Sequence, residues 1–382
     1  MFNRSKREVT PETPSRGSSD SRGARLNENV SVRQRTFPQS VIETKVDGGG
    51  LNLLSSYIFD DLYLPEARNE LISVRRLRLS SKAFRGENKP GLAPLPPELK
   101  ADVDELFEAV RKGWRMHECR REFVIDFKGL AYRCALIGPP GLYPTEESLM
   151  GTEWCVRMVS PKIPSLSDLR LPQTVVDDLQ SLTDARGIVL VGGPFASGKT
   201  TLASVGLDLW VRNSNEMGIT MEDPPEIPMQ RNDPKIGKII QIDTTGQSIE
   251  QAIKDSRRWS FRYLFLGEIR SADVASSMLH IGISGPLVVC TIHANTPADA
   301  VRSLYRFAAE RMSEGAARDM IADSLQHIFH QKIVGSRAIL RSIKVCGNGG
   351  ELLRSQIKSG DFMRLEHEIS RIELSRKNEQ TE

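Results

Sequence analysis

Gly193-x-x-x-x-Gly198-Lys199-Thr200 is the densest concentration of chemistry in the chain: two spaced glycines closed by a cation and a hydroxyl. Glycines let backbone N–H groups turn inward on an anion, and a helix that starts at the loop's end adds partial positive charge there. In such a phosphate-binding loop Lys199 reaches the β- and γ-phosphates of a nucleotide, and the Thr200 hydroxyl sits on Mg²⁺. Gly193, Pro194, Phe195, Ala196, Ser197, Gly198, Lys199, Thr200 and Thr201 are therefore the candidate nucleotide-binding residues. The flanks match this requirement. Residues 187–191 form an apolar run that reads as a strand, and Leu202, Val205 and Leu209 keep helical spacing behind the loop.

Three later stretches carry acids or an imidazole at strand ends. Residues 219–226 (ITMEDPPE) end a short strand at a proline-enforced turn, which presents Glu222 and Glu226 at the strand's carboxyl edge. Ligands bind at that edge in open α/β sheets, and a carboxylate there can orient an attacking water. Taken alone, this stretch reads as a solvated acidic turn. Residues 263–270 (YLFLGEIR) form a buried-type strand that ends in Glu268, which would act through Mg²⁺ or its waters. The terminal aspartate usual in such strands is missing. Residues 287–295 (LVVCTIHAN) end in His293, which is either a γ-phosphate sensor or a structural histidine at a strand end.

These residues need a scaffold that brings separate strand ends together. The 382 residues suffice for two or three domains, and a net charge of +3 does not imply a general nucleic-acid binder. Five dispersed cysteines without a C-x-x-C pair support neither a zinc site nor a disulfide framework, and fit a reducing, cytoplasmic compartment. No apolar run approaches the ~20 residues that cross a bilayer, so membrane association is expected to go through partners. The only Asn-Lys pair, Asn88-Lys89, precedes Pro90-Gly91 and not the guanine-reading aspartate of a GTPase.

Along the chain, residues 1–45 form a polar, arginine-rich leader with little apolar surface, expected to be disordered, either as a solvated tail or as a partner-binding arm. Residues 50–160 read as a small α+β domain. Its strands are expected at 58–64 and 74–79, with a helix opened by Pro96-Pro97, a hairpin around Lys128-Gly129 and a last strand at 154–159. Residues 161–170 are a proline-containing linker. Residues 171–345 alternate strands and helices, which predicts an α/β domain with a mainly parallel sheet, and 346–382 form a C-terminal segment with a charged end.

In order and spacing, the four stretches resemble the PilT/GspE superfamily of secretion and pilus ATPases. That family has a Walker A loop, an acidic I-T-x-E-D-P-x-E box, a Walker B of L-x-x-G-E-x-R type and a T-x-H box; here these are 193–200, 219–226, 264–270 and 291–293. Asp61-Leu62-Tyr63-Leu64 is similar to its early S-D-L-H-L strand, 163–169 to its interdomain I-P-T-L segment, and 331–334 to its late helix ending in Q-x-L. The resemblance implies an α/β RecA-like P-loop ATPase domain behind a PAS-like N-terminal domain, ATP and Mg²⁺ as ligands, and a homohexamer. It also implies a cytoplasmic protein recruited peripherally to inner-membrane and coupling components, with no sequence-specific nucleic-acid binding. By position it implies Glu222 as the catalytic acid, Glu268 as the Walker B glutamate (a metal residue with Thr200), and His293 as functional. Arg133 and Arg157 lie where the family's N-terminal domain supplies phosphate-facing arginines, and Arg258 falls where its L-R-x-D-P-D arginine would be. The departures are Ser260-Phe261-Arg262 for D-P-D, Ser271 for an aspartate, Pro286 for a second histidine, Ser303 for an arginine, and Ala196 for a loop glycine. Together with the missing tetracysteine module, they make the chain more similar to DotB/TraJ-type ATPases of type IVB secretion and conjugation than to PilT or GspE proper.

Overall fold

The computed structural model describes residues 54–379 apart from 55–56, 60, 68–70, 76–77, 80–91, 118, 139–148, 150, 160–161, 246–247, 257, 335–336 and 348. The expected leader, residues 1–45, lies outside the described residues, as does most of the loop from Gly138 to Gly151.

Five short strands come first: β1 (Tyr57–Ile58), β2 (Asp61–Pro65), β3 (Ser73–Arg75), β4 (Arg78–Leu79) and β5 (Leu92–Pro94). The single strands expected at 58–64 and 74–79 are thus each divided in two, because β1 pairs with β4 in a separate ribbon while β2 and β3 enter the larger sheet. Helix α1 (Lys100–Met116) follows a 3-10 turn that starts at Pro97. Leu99, Val103, Leu106, Phe107 and Val110 are all buried, as their spacing requires. The hairpin β6 (Glu122–Phe127) and β7 (Leu130–Ile137) turns through Lys128 and Gly129, both at positive φ (51° and 77°), the pairing that a two-residue hairpin of matching twist demands. With β8 (Glu153–Met158) these strands form a six-stranded antiparallel sheet of order β5-β3-β2-β8-β7-β6. Its core packs Trp114, Phe123 and Trp154 edge-to-face beneath α1.

The chain then passes through a 3-10 turn at Leu166–Leu169, capped reciprocally by Ser165 and Asp168, into α2 (Gln173–Ser181). The second sheet is built from β9 (Gly187–Gly193), β10 (Met217–Glu222), β11 (Arg231–Asp233), β12 (Gly237–Asp243), β13 (Tyr263–Glu268), β14 (Leu287–His293), β15 (Leu325–Val334) and β16 (Arg337–Lys344). Its order is β11-β12-β10-β13-β14-β9-β15-β16, parallel from β12 through β15 and antiparallel only at the two edges. Helices α3 (Lys199–Ser214), α4 (Ile249–Ser256), α5 (Ala272–Gly282), α6 (Pro297–Ala309), α7 (Glu314–Ser324), α8 (Glu351–Ser359) and α9 (Phe362–Glu379) complete it.

Strand residues alternate between two cores. Ile188 and Leu190 of β9, with Leu264 and Leu266 of β13, face α4 to α9; Val189, Val191, Tyr263 and Phe265 face α2 and α3. Strands buried on both faces read as continuous apolar runs, which is why 187–191 and 263–266 were recognisable. Two features differ from expectation. The Q-x-L-like stretch at 331–334 belongs to strand β15, since α7 ends at Ser324 and the following residues pair with the P-loop strand β9. The charged C-terminal end runs on as helix to Glu379, with Leu365 and Ile369 of α9 seated in the core.

Candidate functional site

The four motif strands stand side by side as β10-β13-β14-β9, so their carboxyl ends form one edge. Gly193 pairs with His293 and Glu268 with Thr291 in register, while Glu222 closes β10 beside Asp243. Sheet order, not sequence proximity, converges these groups.

The loop between β9 and α3 is shaped for an anion. Gly198 caps α3 at φ 87°, and a Cβ there would lie 2.8 Å from Gln331 Nε2. A Cβ on Gly193 would lie 2.2 Å from the Gln331 carbonyl oxygen. Ser197 Oγ is buried with no hydrogen-bond partner among the described residues. Lys199, though buried, donates to uncharged groups, the Pro194 carbonyl at 2.9 Å and His293 Nδ1 at 3.3 Å. Burial lowers its pKa, and the nearby Glu268 and Glu226 carboxylates oppose that shift. A buried cation without a direct anionic partner, a glycine cradle and an orphaned hydroxyl at a helix N-terminus fit a nucleotide's phosphates.

Beside this cradle, His293 Nε2 lies 2.7 Å from Glu268 Oε1, and the Phe195 ring of the loop lies against the His293 ring, tilted by 38° with centroids 3.7 Å apart. Burial lowers the His293 pKa, against the pull of Glu268. Arg270 Nε donates to the other Glu268 oxygen at 2.6 Å, and Thr291 Oγ1 donates to the Gly267 carbonyl at 2.5 Å. Glu268 and Thr200 carry the oxygens that could hold Mg²⁺ beside bound phosphates. Among the described residues there is no cluster of three or more metal-ligating side chains, so nucleotide oxygens and water would have to supply the remaining ligands.

Glu222 is fully buried, and desolvation raises its pKa to about 7. Gln241 Nε2 donates to its Oε1 at 2.9 Å and to the Ile227 carbonyl at 2.8 Å, while Gln241 Oε1 accepts from Met229 N–H. That amide fixes the acidic turn to strand β12. Its sequence signal is a polar residue interrupting the apolar run Ile239, Ile240, Ile242.

Of the three arginines, the antiparallel sheet supplies two. Arg133 and Arg157 are directly paired on β7 and β8, a like-charge pair that carboxylates must relieve. Arg157 donates through Nε and Nη2 to the buried Asp61 at 2.9 and 2.8 Å. Arg133 donates through Nη1 to Glu226 at 2.9 Å and through Nη2 to Glu122 at 3.3 Å. Arg258 is not brought to this edge. It lies exposed in the turn after α4, where its backbone N–H bonds the Asp255 carbonyl. Sequence reasoning left Gln241, Gln331 and the Glu226–Arg133 contact without a role; the last joins positions 93 residues apart.

A parallel, two-faced sheet with a phosphate loop after one strand and acids after its neighbours defines a P-loop ATPase fold of RecA-like type with a smaller α+β N-terminal sheet. Residues 145–355 match the Type II/IV secretion system protein family, and the chain belongs to that family of secretion and pilus ATPases. The type IV pilus ATPase PilU of Pseudomonas aeruginosa is 28% identical over 277 residues, 68% of this chain and 67% of PilU. The competence protein ComGA of Streptococcus pneumoniae is 28% identical over 223 residues, 57% of this chain and 62% of ComGA. The pilus retraction ATPase PilT of P. aeruginosa is 30% identical over 166 residues, which span 42% of this chain and less than half of PilT (47%). In fold, the chain resembles the ADP-bound pilus retraction motor PilT (TM-score 0.57, 19% identity, 80% of this chain and 84% of that one). It resembles the ATPase DotB of Legionella pneumophila to the same degree (TM-score 0.56, 16% identity, 80% and 83%).

Proposed function

We propose that this chain is an ATP-hydrolysing motor that works as a homohexamer and drives type IVB-like secretion or conjugative plasmid transfer. It would act in the cytoplasm, recruited to inner-membrane and coupling components of the apparatus. The observation that carries the catalytic part is the convergence of Lys199, Glu222, Glu268 and His293 on one sheet edge. The departures from PilT at Ser271 and Pro286 support the choice of apparatus.

In this reading the backbone N–H groups of the 193–201 loop, Pro194 excepted, and the Lys199 ammonium bind the phosphates. Bound through Thr200 and Glu268, Mg²⁺ supplies charge neutralisation at the phosphate oxygens. Glu222, with a pKa of about 7 in its buried site, orients the attacking water and accepts its proton. His293 links Glu268 to Lys199, so it reports whether the terminal phosphate is in place. Arg133 and Arg157 reach in from the smaller domain, assigned here to residues 50–160 and joined by 161–170 to the ATPase domain at 171–345, which 346–382 follow. Hydrolysis then moves the two domains against each other. Arg258, remote from this edge, acts at most from a neighbouring subunit.

The pilus-motor reading is favoured by the curated relatives, which are named pilus and competence proteins. Deleting the gene in its host and scoring conjugation, secretion and pilus retraction side by side separates the two. Loss of transfer or secretion with retraction intact supports the proposal, and loss of retraction alone favours a pilus motor. Purified protein that assembles with ATP but never turns it over would make it a scaffold.

A further inference from the structure

Glu226 belongs to the acidic box, yet its carboxylate contacts the antiparallel sheet. Its Oε1 accepts from Arg133 Nη1 at 2.9 Å, with the Arg133 side chain 16% exposed and that of Glu226 36% exposed. A second contact joins the same two regions: Arg120 Nη1 donates to the Thr245 carbonyl at 3.1 Å. The neighbouring Thr244 donates through Oγ1 to the Glu222 carbonyl at 2.9 Å. The antiparallel region therefore meets this edge at two points: Arg133 of β7 forms an ion pair with Glu226 of the acidic turn, and Arg120, just before β6, donates to the backbone of the loop after β12.

The Glu226 charge is also felt within the catalytic edge. It favours the charged forms of Lys199 and Arg157 and opposes ionisation of Glu222. A carboxylate that contacts a guanidinium and lies within electrostatic reach of the loop lysine offers the charge sign and the paired oxygens that a phosphate would offer.

We propose that Glu226 is a positioning residue: it occupies Arg133 in place of a terminal phosphate and yields that guanidinium when a nucleoside triphosphate binds. The proposal rests on the ATPase reading above. Triphosphate must then displace Glu226 from Arg133, whereas a diphosphate, lacking the terminal group, has no such competition. Affinity for triphosphate is held down, and engagement of the smaller sheet is tied to the phosphate that will be cleaved.

The test uses the full chain and equilibrium binding of a non-hydrolysable ATP analogue and of ADP. Glu226→Gln is expected to tighten analogue binding about fivefold, as suits a partly exposed ion pair, and ADP binding less than about twofold. In steady-state hydrolysis KM falls by a similar factor while kcat stays within about twofold. In an Arg133→Ala background the gain disappears, and Glu226→Asp gives an intermediate value with an unchanged thermal midpoint. Analogue binding that is unchanged or weaker in Glu226→Gln overturns the proposal. So does a gain that persists without Arg133, since Glu226 would then act through its general field alone. A wild-type chain that binds neither nucleotide overturns the ATPase reading itself, and this proposal with it.

Discussion

His293 Nε2 lies 2.7 Å from Glu268 Oε1 while its Nδ1 faces Lys199 Nζ at 3.3 Å, so one imidazole spans the Walker B acid and the loop lysine. A lysine ammonium only donates, so Nδ1 accepts at that contact, while Glu268 Oε1 takes no hydrogen bond among the described residues. An accepting Nδ1 goes with a neutral ring, in keeping with the downward shift of its pKa on burial. His293→Ala is expected to lower kcat about a hundredfold with little change in KM, and His293→Gln, which keeps an N–H donor, to recover part of the loss. Steady-state ATPase kinetics of the two variants check this.

Glu222 gives a pH-dependent stability with a definite sign. Burial raises its pKa from the ordinary 4.5 to about 7, so its contribution is fully present below the ordinary value and lost as pH rises through 7. Glu222→Gln removes that loss. At pH 8 the variant is expected to be more stable than wild type by up to about 3 kcal/mol, and at pH 4 nearly equal. Denaturant unfolding at both pH values measures it.

The loop glycine Gly193 has no room for a side chain. A Cβ at Gly193 would meet the Gln331 backbone oxygen at 2.2 Å, so Gly193→Ala must push β15 away from the loop. A stability loss of about 2–3 kcal/mol, with loss of nucleotide binding, is expected. Gly315, exposed in α7 with nothing within 4 Å of a Cβ, is the contrast. Gly315→Ala is expected to stabilise by about 0.5–1 kcal/mol and leave binding unchanged. Thermal unfolding and nucleotide titration of both variants distinguish a shaped cradle from a generic turn.

Much of this architecture was legible because its signals are local. Strands buried on both faces are apolar runs; β9 ends where the phosphate loop begins, and β10, β13 and β14 end on Glu222, Glu268 and His293. The helix α1 and the hairpin at Lys128-Gly129 were equally plain, the first from its 3.6-residue period and the second from its turn chemistry. Strand order is different, because nothing in β15 itself says that it pairs with β9, and this neighbour supplies the Gln331 carbonyl behind Gly193. The Glu226–Arg133 pair was equally hidden. It depends on how two sheets meet, and each residue alone reads as an ordinary surface charge. Arg258 is the reverse case: position along a motif suggested a place at the site, and the residue lies exposed in the turn after α4.

The central claim is that Lys199 holds nucleotide phosphates for hydrolysis at this edge, and ATP turnover by Lys199→Ala tests it most directly. One lysine about 4 Å from a phosphate charge contributes about 4 kcal/mol at an effective dielectric of about 20, so its loss is expected to abolish detectable binding or turnover. Phosphate release from Mg²⁺-ATP by the wild-type chain, and none by Lys199→Ala of unchanged thermal stability, is the predicted result. Wild-type turnover by the variant would contradict the account.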